Sequence, residues 1–372
     1  MKSSRKFLLA VYWLLLFAGA VVNFSAQEQK QPQAKTKAEY DAYVAVFNEQ
    51  TPDKKVELAS KFLTDFGDSE FKAYIYQMLI DSYIRQGNPA KVVEIGEKFQ
   101  ADYPQADNNT KKFVLQRLMS AYQQQNNFEK TVESGEKLLV ADPKDLPSLL
   151  TLASILPERL PTDDAKKAEQ LEKAQGFAQR ALTEINGLQK PAGAAGAQIT
   201  DEQWSSEKNK LLASVYSSIG LIHLNRKEYD KSVEQYALAT NLNKANPIDF
   251  YRLGIANTFM ARNVAKELNE LVGNINQLQT ELQNVTDAAV KDEKEKKLAE
   301  LKTKQANAEK SFPELRDKAV DALAKSVFLK GVTEPQARAE LERLYKTKNN
   351  NSLEGLDALI QKAGEDLKKP AQ

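Results

Sequence analysis

One nine-residue pattern recurs along this chain, and recurrence at a near-constant spacing restricts the fold more than any other feature. Lys91 to Phe99 reads Lys-Val-Val-Glu-Ile-Gly-Glu-Lys-Phe, and Lys130 to Leu138 reads Lys-Thr-Val-Glu-Ser-Gly-Glu-Lys-Leu. The copies run on to Asp102-Tyr103-Pro104 and Ala141-Asp142-Pro143, and a looser copy spans Lys55 to Phe62 before Asp65-Phe66-Gly67. A period of about 37–39 residues suits a two-helix unit with a slightly lengthened connection. A helix of about three to four turns is marginal alone in water, so such units are stable only when stacked on neighbours. The 372 residues exceed the roughly 250–300 that one globular core accommodates, which a repeat array does not need. Sparse Gly and Pro, with Ala, Leu, Lys, Glu and Gln dominant, favour helix throughout.

Laid in register, the copies show large residues on the first helix and small ones on the second. Tyr76, Leu79, Tyr83, Gly87, Val92, Gly96, Phe99 and Pro104 form one set; Leu115, Leu118, Tyr122, Gly135, Leu138 and Pro143 form the next. A later copy has Tyr216, Ile219-Gly220 and His223, then Tyr229, Ser232, Tyr236 and Ala239, with Lys244 where a closing proline would stand. This pattern resembles the tetratricopeptide repeat family over roughly residues 36 to 331. The resemblance implies an all-α, right-handed solenoid of about six helical hairpins. Repeats 1–4 are expected over 36–185, and repeat 5 with helix A of repeat 6 over 201–262. The fourth repeat is stretched: Leu149, Leu152, Ala153 and Leu156 precede Pro157 and Pro161, and Ala174, Ala178 and Ala181 follow on its second helix. The sixth starts at Phe250, Leu253-Gly254 and Asn257 and resumes at Ala319, Leu323 and Ser326, giving helix B over 312–331.

Between the fourth and fifth repeats, residues 186–200 read as a flexible linker around Gly193 and Gly196. Thr200 and Gln203 have the spacing of a capping box opening the next helix. Within the sixth repeat, Val264, Leu268, Leu271, Ile275, Leu278, Leu282 and Val285 alternate in steps of four and three. That heptad seam, a turn near Asp287 to Asp292 and a charged stretch from Lys294 to Lys310 predict an inserted helical-hairpin arm over 263–311. The arm either closes on itself or serves docking and self-association through 264–310. Residues 332–368 read as two capping helices, with Leu341, Leu344, Leu356, Leu359 and Ile360 closing the end of the stack.

Lys2, Arg5 and Lys6 precede an apolar run from Phe7 to Val22, which predicts a signal peptide within 1–26. The alternative is an uncleaved inner-membrane anchor over residues 7–24, the chain's only expected contact with a membrane. Both readings export the body, to a periplasmic or extracytoplasmic location. There is no cysteine, hence neither a disulfide nor a lipid-modified N-terminal cysteine. Lys plus Arg is 52 against 51 for Asp plus Glu, a balance that leaves no general attraction for nucleic acid.

Signals for chemistry are weak. His223 is the single histidine, at a position where the repeat packs an aromatic, so it reads as structural. No nucleophile elbow, phosphate loop or dinucleotide fingerprint occurs, and no cofactor or metal is expected. Asp163-Asp164, and Asp65 with Asp68, read as helix caps or solvated carboxylates. In the family, the face of each helix A turned away from helix B binds protein segments. Carrying that register over selects Tyr74, Gln77, Asp81 and Arg85 in the second repeat, and Phe113, Gln116, Ser120, Gln123 and Gln124 in the third. Side-chain amides pair with a peptide backbone and aromatics take apolar side chains. The expected function is therefore a non-enzymatic scaffold or assembly adaptor in the cell envelope. The family's carboxylate-clamping Lys and Asn are absent from these places.

Overall fold

The computed structural model describes residues 32–192 and 199–369. The expected signal peptide and Gly193 to Gly196 of the expected linker lie outside the described residues. Fourteen α-helices make up nearly all the order, and no strand occurs among the described residues. No helix among them is long and apolar enough to cross a membrane. The described residues divide into two compact units. The first runs to Ile155 and takes in Gln179–Leu188; the second takes Leu156–Ala178 and what is described from Gln189 onward.

The first unit is built from α1 (Lys37–Asn48), α2 (Pro52–Asp65), α3 (Lys72–Arg85), α4 (Pro89–Asp102), α5 (Asn108–Gln124), α6 (Phe128–Ala141) and α7 (Leu146–Ile155). Each helix packs on its neighbours in sequence, and α1 also touches α3, so odd-numbered helices share one side. The start signals are local. Thr36 Oγ1 accepts from the Glu39 amide, Asn88 Oδ1 from Lys91, and Asn127 Oδ1 from Lys130, while Pro52 and Pro89 occupy first-turn positions that need no donor. Small residues on one helix B admit the next helix A. A Cβ at Gly96 would lie 2.7 Å from Leu118 Cδ2, and one at Gly135 would lie 3.1 Å from Leu152. Leu118, Leu138, Leu149 and Leu152 are buried around these crossings, each side chain contributing about 1.5–3 kcal/mol of transfer free energy.

The second unit holds a 3-10 turn (Leu156–Glu158), α9 (Asp201–Asn225), α10 (Tyr229–Leu242), α11 (Pro247–Gln283), α12 (Ala288–Leu329), α13 (Glu334–Lys348) and α14 (Leu356–Leu367). The intervening α8 (Asp164–Gly187) begins in the second unit and ends in the first. Thr200 and Gln203 form the expected capping box reciprocally, with bonds of 3.1 and 2.9 Å. Gly220 lies against the Tyr236 ring, and Ser232 Oγ donates to the Gly220 carbonyl at 2.9 Å, which sets the α9–α10 crossing. A Cβ at Gly254 would meet Leu323 at 2.6 Å, so the two halves of the sixth repeat cross where expected despite their separation in sequence.

The arm differs from expectation in construction. It is not an insertion bounded at 263 and 311, because α11 and α12 run without a break from the repeat into the arm, over 37 and 42 residues. The turn falls at 284–287, earlier than expected: Asp287 accepts from the Ala289 and Val290 amides and caps α12, so Ala288 to Asp292 are already helical. Leu271, Ile275 and Leu278 are buried, as is Ala308 on α12, and Lys294 pairs with Glu281 at 2.5 Å across the tip. Near the C terminus, Leu341, Leu344, Leu356 and Ile360 join Ala319, Leu323 and Val327 in one core cluster, with Leu359 half-buried against it.

Candidate functional site: the odd-helix face of the first unit

The turns that orient this face repeat closely. Gly87, Asn126 and Lys227 each take a left-handed backbone after helix A, with φ of 65°, 57° and 63°. The next amide then reaches back to the carbonyl of Tyr83, Tyr122 or His223, at 2.9 Å in each case. His223 is buried, with Nδ1 2.6 Å from Glu228 Oε2. That contact and the surrounding packing give it a structural place, and it holds the Glu228 carboxyl below its ordinary range.

On α3, Tyr74, Gln77, Asp81 and Arg85 follow one another at helical spacing; Tyr74 and Arg85 are exposed, Gln77 and Asp81 half-buried. On α5, Phe113, Gln116, Ser120 and Gln123 are half-buried and Gln124 is exposed. The two stripes meet through Arg117. Its Nε lies 3.7 Å from Asp81 Oδ1, and its guanidinium stacks 4.1 Å from the centroid of the Phe113 ring. Burial raises the Asp81 carboxyl above its ordinary range, against the pull of Arg117, Arg85 and Lys55. Gln116 Nε2 donates to Asp145 Oδ1 at 2.8 Å, tying α5 to the start of α7. Among the described residues Gln123 Nε2 is buried without a hydrogen-bond acceptor, whereas Arg117 Nε has only the long ion pair to Asp81. A buried donor without a partner costs about 1–3 kcal/mol, and an incoming carbonyl or carboxylate would relieve it.

Sequence reasoning overlooked two parts of this face. Arg117 lies four residues beyond Phe113 on the same stripe, and that spacing alone could have found it. The first repeat supplies Tyr40 and Phe47 on α1, 54% and 58% exposed, beside the 43% exposed Tyr74. Tyr43 between them stacks on Phe71 at 4.2 Å. Burial raises the Tyr43 phenol, and the neighbouring Tyr74 and Tyr40 hydroxyls raise it further. The Tyr40–Tyr43–Phe47 spacing is legible in the sequence, but the first repeat matches the recurring pattern only on its second helix.

No group of His, Cys, Asp or Glu among the described residues is placed to hold a metal. Asp163 caps α8 by accepting from the Lys166 amide at 2.8 Å, and Asp65 pairs with Lys61 at 2.6 Å.

The hairpins, their shared turns and their small-residue crossings define an all-α fold of repeated helical hairpins. No protein-family model matches the sequence, and no curated protein does. Among solved structures, the chain is similar to a tetratricopeptide repeat protein from Parabacteroides merdae, at 11% identity and a TM-score of 0.42 over 83% of this chain and 100% of that one. It is also similar to the C-terminal part of a TPR repeat-containing protein from Cytophaga hutchinsonii, at 12% identity and a TM-score of 0.39 over 89% and 98% of the two chains. At such values the likeness says nothing of function.

Proposed function

We propose that the face formed by α1, α3 and α5 holds an extended segment of another protein, and that the chain is a non-enzymatic scaffold or assembly adaptor. The observation that carries this reading is the pairing of exposed aromatics with a buried amide donor that has no acceptor, Gln123 Nε2. Tyr40, Phe47 and Tyr74 offer anchors for apolar side chains, and Gln123 Nε2 offers a donor for a backbone carbonyl. The basic and apolar start of the chain supports placing this activity in the cell envelope. Self-association through the arm finds less support, because Leu271, Ile275 and Leu278 are already buried and a partner would have to displace α12.

A photo-crosslinking residue at Tyr74, in intact cells, tests the proposal. A discrete adduct from Tyr74, absent from the same probe at Val140 (85% exposed on α6), is the expected result. Equal adducts from both positions would contradict it.

A further inference from the structure

The face formed by α1, α3 and α5 carries charge beside its aromatics, and charge narrows what a surface can hold. The two meet at one corner. Phe47 lies in the last turn of α1, and the Lys55 ammonium, from the first turn of α2, donates to its carbonyl at 3.3 Å. The end of α3 reaches the same corner, since Gln86 Nε2 donates to Asp53 Oδ1 at 2.6 Å. Arg85, one residue earlier, is exposed, and Arg117 approaches Asp81 from α5 at 3.7 Å. Asp81 thus lies in the field of three cations, Arg117, Arg85 and Lys55.

The charges at this corner do not cancel. Glu49 pairs with Lys54 at 3.6 Å, which removes both from the count. Lys55, Arg85 and Arg117 then stand against Asp53 and Asp81, a surplus of one cation. Among the described residues, neither Arg85 nor Lys55 has a carboxylate within ion-pair range. Arg117 is already held in place, its guanidinium stacked 4.1 Å from the centroid of the Phe113 ring. A guanidinium fixed in this way loses little further freedom when it receives a planar anion. A surplus of one charge suits a single carboxylate rather than a polyanion, and the adjoining Tyr40, Phe47 and Tyr74 suit the apolar side chains of a protein segment.

We infer that the segment held on this face is acidic: next to the apolar side chains seated on the aromatics, it presents an internal Asp or Glu carboxylate to Arg85 and Arg117. The inference rests on the protein-binding reading of the face and adds the chemistry of its occupant. Random peptides displayed within a loop of a carrier protein, and so without a free terminus, are selected against the full chain. Asp or Glu should be enriched at least about threefold over the unselected library, at one fixed distance from apolar residues. Against Arg85→Glu the same library should yield Lys or Arg at that place, with the apolar residues kept. Arg85 is exposed, so this variant should melt as the parent does. The peptide best selected by the parent, acetylated and amidated, should lose about three- to tenfold in affinity when its acid is replaced by the amide, and added salt should shrink the loss. Apolar enrichment without an acid, or an acid preference unmoved by Arg85→Glu, overturns the inference and leaves the protein-binding reading standing. Enrichment of no sequence at all overturns both.

Discussion

Lys227 and Gly87 occupy equivalent turns, and only one of them suits its backbone. A side chain at φ 63° crowds the following carbonyl, at about 1–2 kcal/mol, a strain that glycine avoids. Lys227→Gly should raise stability by about 0.5–1 kcal/mol, after the glycine's own entropy cost, read as a higher denaturant midpoint at unchanged slope. Asp249 is the other exceptional residue. It is buried, accepts from Ser217 at 2.5 Å and Asn246 at 2.6 Å, and faces Arg252, whose guanidinium pairs with Glu158 at 2.5 Å. Burial nevertheless prevails and pushes its carboxyl up to about 6. The native state then binds this proton more tightly than the unfolded chain does. Its penalty is absent below about pH 4, grows as the pH rises to about 6 and is complete above, with a ceiling of ~3 kcal/mol. Asp249→Asn should therefore gain stability over the parent between pH 4 and pH 7, and parallel pH curves for the two would contradict this. Neither residue announced itself in the sequence, since left-handed backbone and burial at a helix start depend on neighbours that one-dimensional spacing does not supply.

Among the helices, those with strong period were legible and their boundaries less so. The Gly96 and Gly135 crossings followed from recurrence alone, and the capping box at Thr200 from three residues. The arm's seam was readable because heptad spacing is periodic. Its junction was not, because α11 needs no sequence signal to continue through Val264; helix simply propagates. Pro313 sits within α12, so even a proline there failed to mark a boundary. Since the seam is covered by its own hairpin, the arm should be dispensable to the rest of its unit. Replacing residues 269–306 with a short glycine-containing turn should leave the melt of the remainder within about 3 °C. A collapse of the melt would mean that the arm supports the repeats.

For the chain as a whole, stability and recognition follow from neighbour contacts, so recognition can reside on one stretch of helices while others bear none of it. The odd-helix register derived from the sequence gave the residues of α3 and α5, and their stripes do meet at Asp81 and Arg117. It passed over α1, whose exposed aromatics widen the face, because that first repeat matches the pattern only on its second helix. Fold alone does not assign a partner, and the face must be tested by binding. The most direct measurement is titration of the segment captured from Tyr74, synthesised as a peptide, against the parent and the Tyr40→Ala, Tyr74→Ala double variant. Both side chains lie at the surface, 54% and 43% exposed, so the variant should melt close to the parent. A loss of affinity of at least about tenfold is predicted, from two aromatic anchors each worth on the order of 1–2 kcal/mol. Equal affinities would contradict the assignment of this face as the protein-binding site.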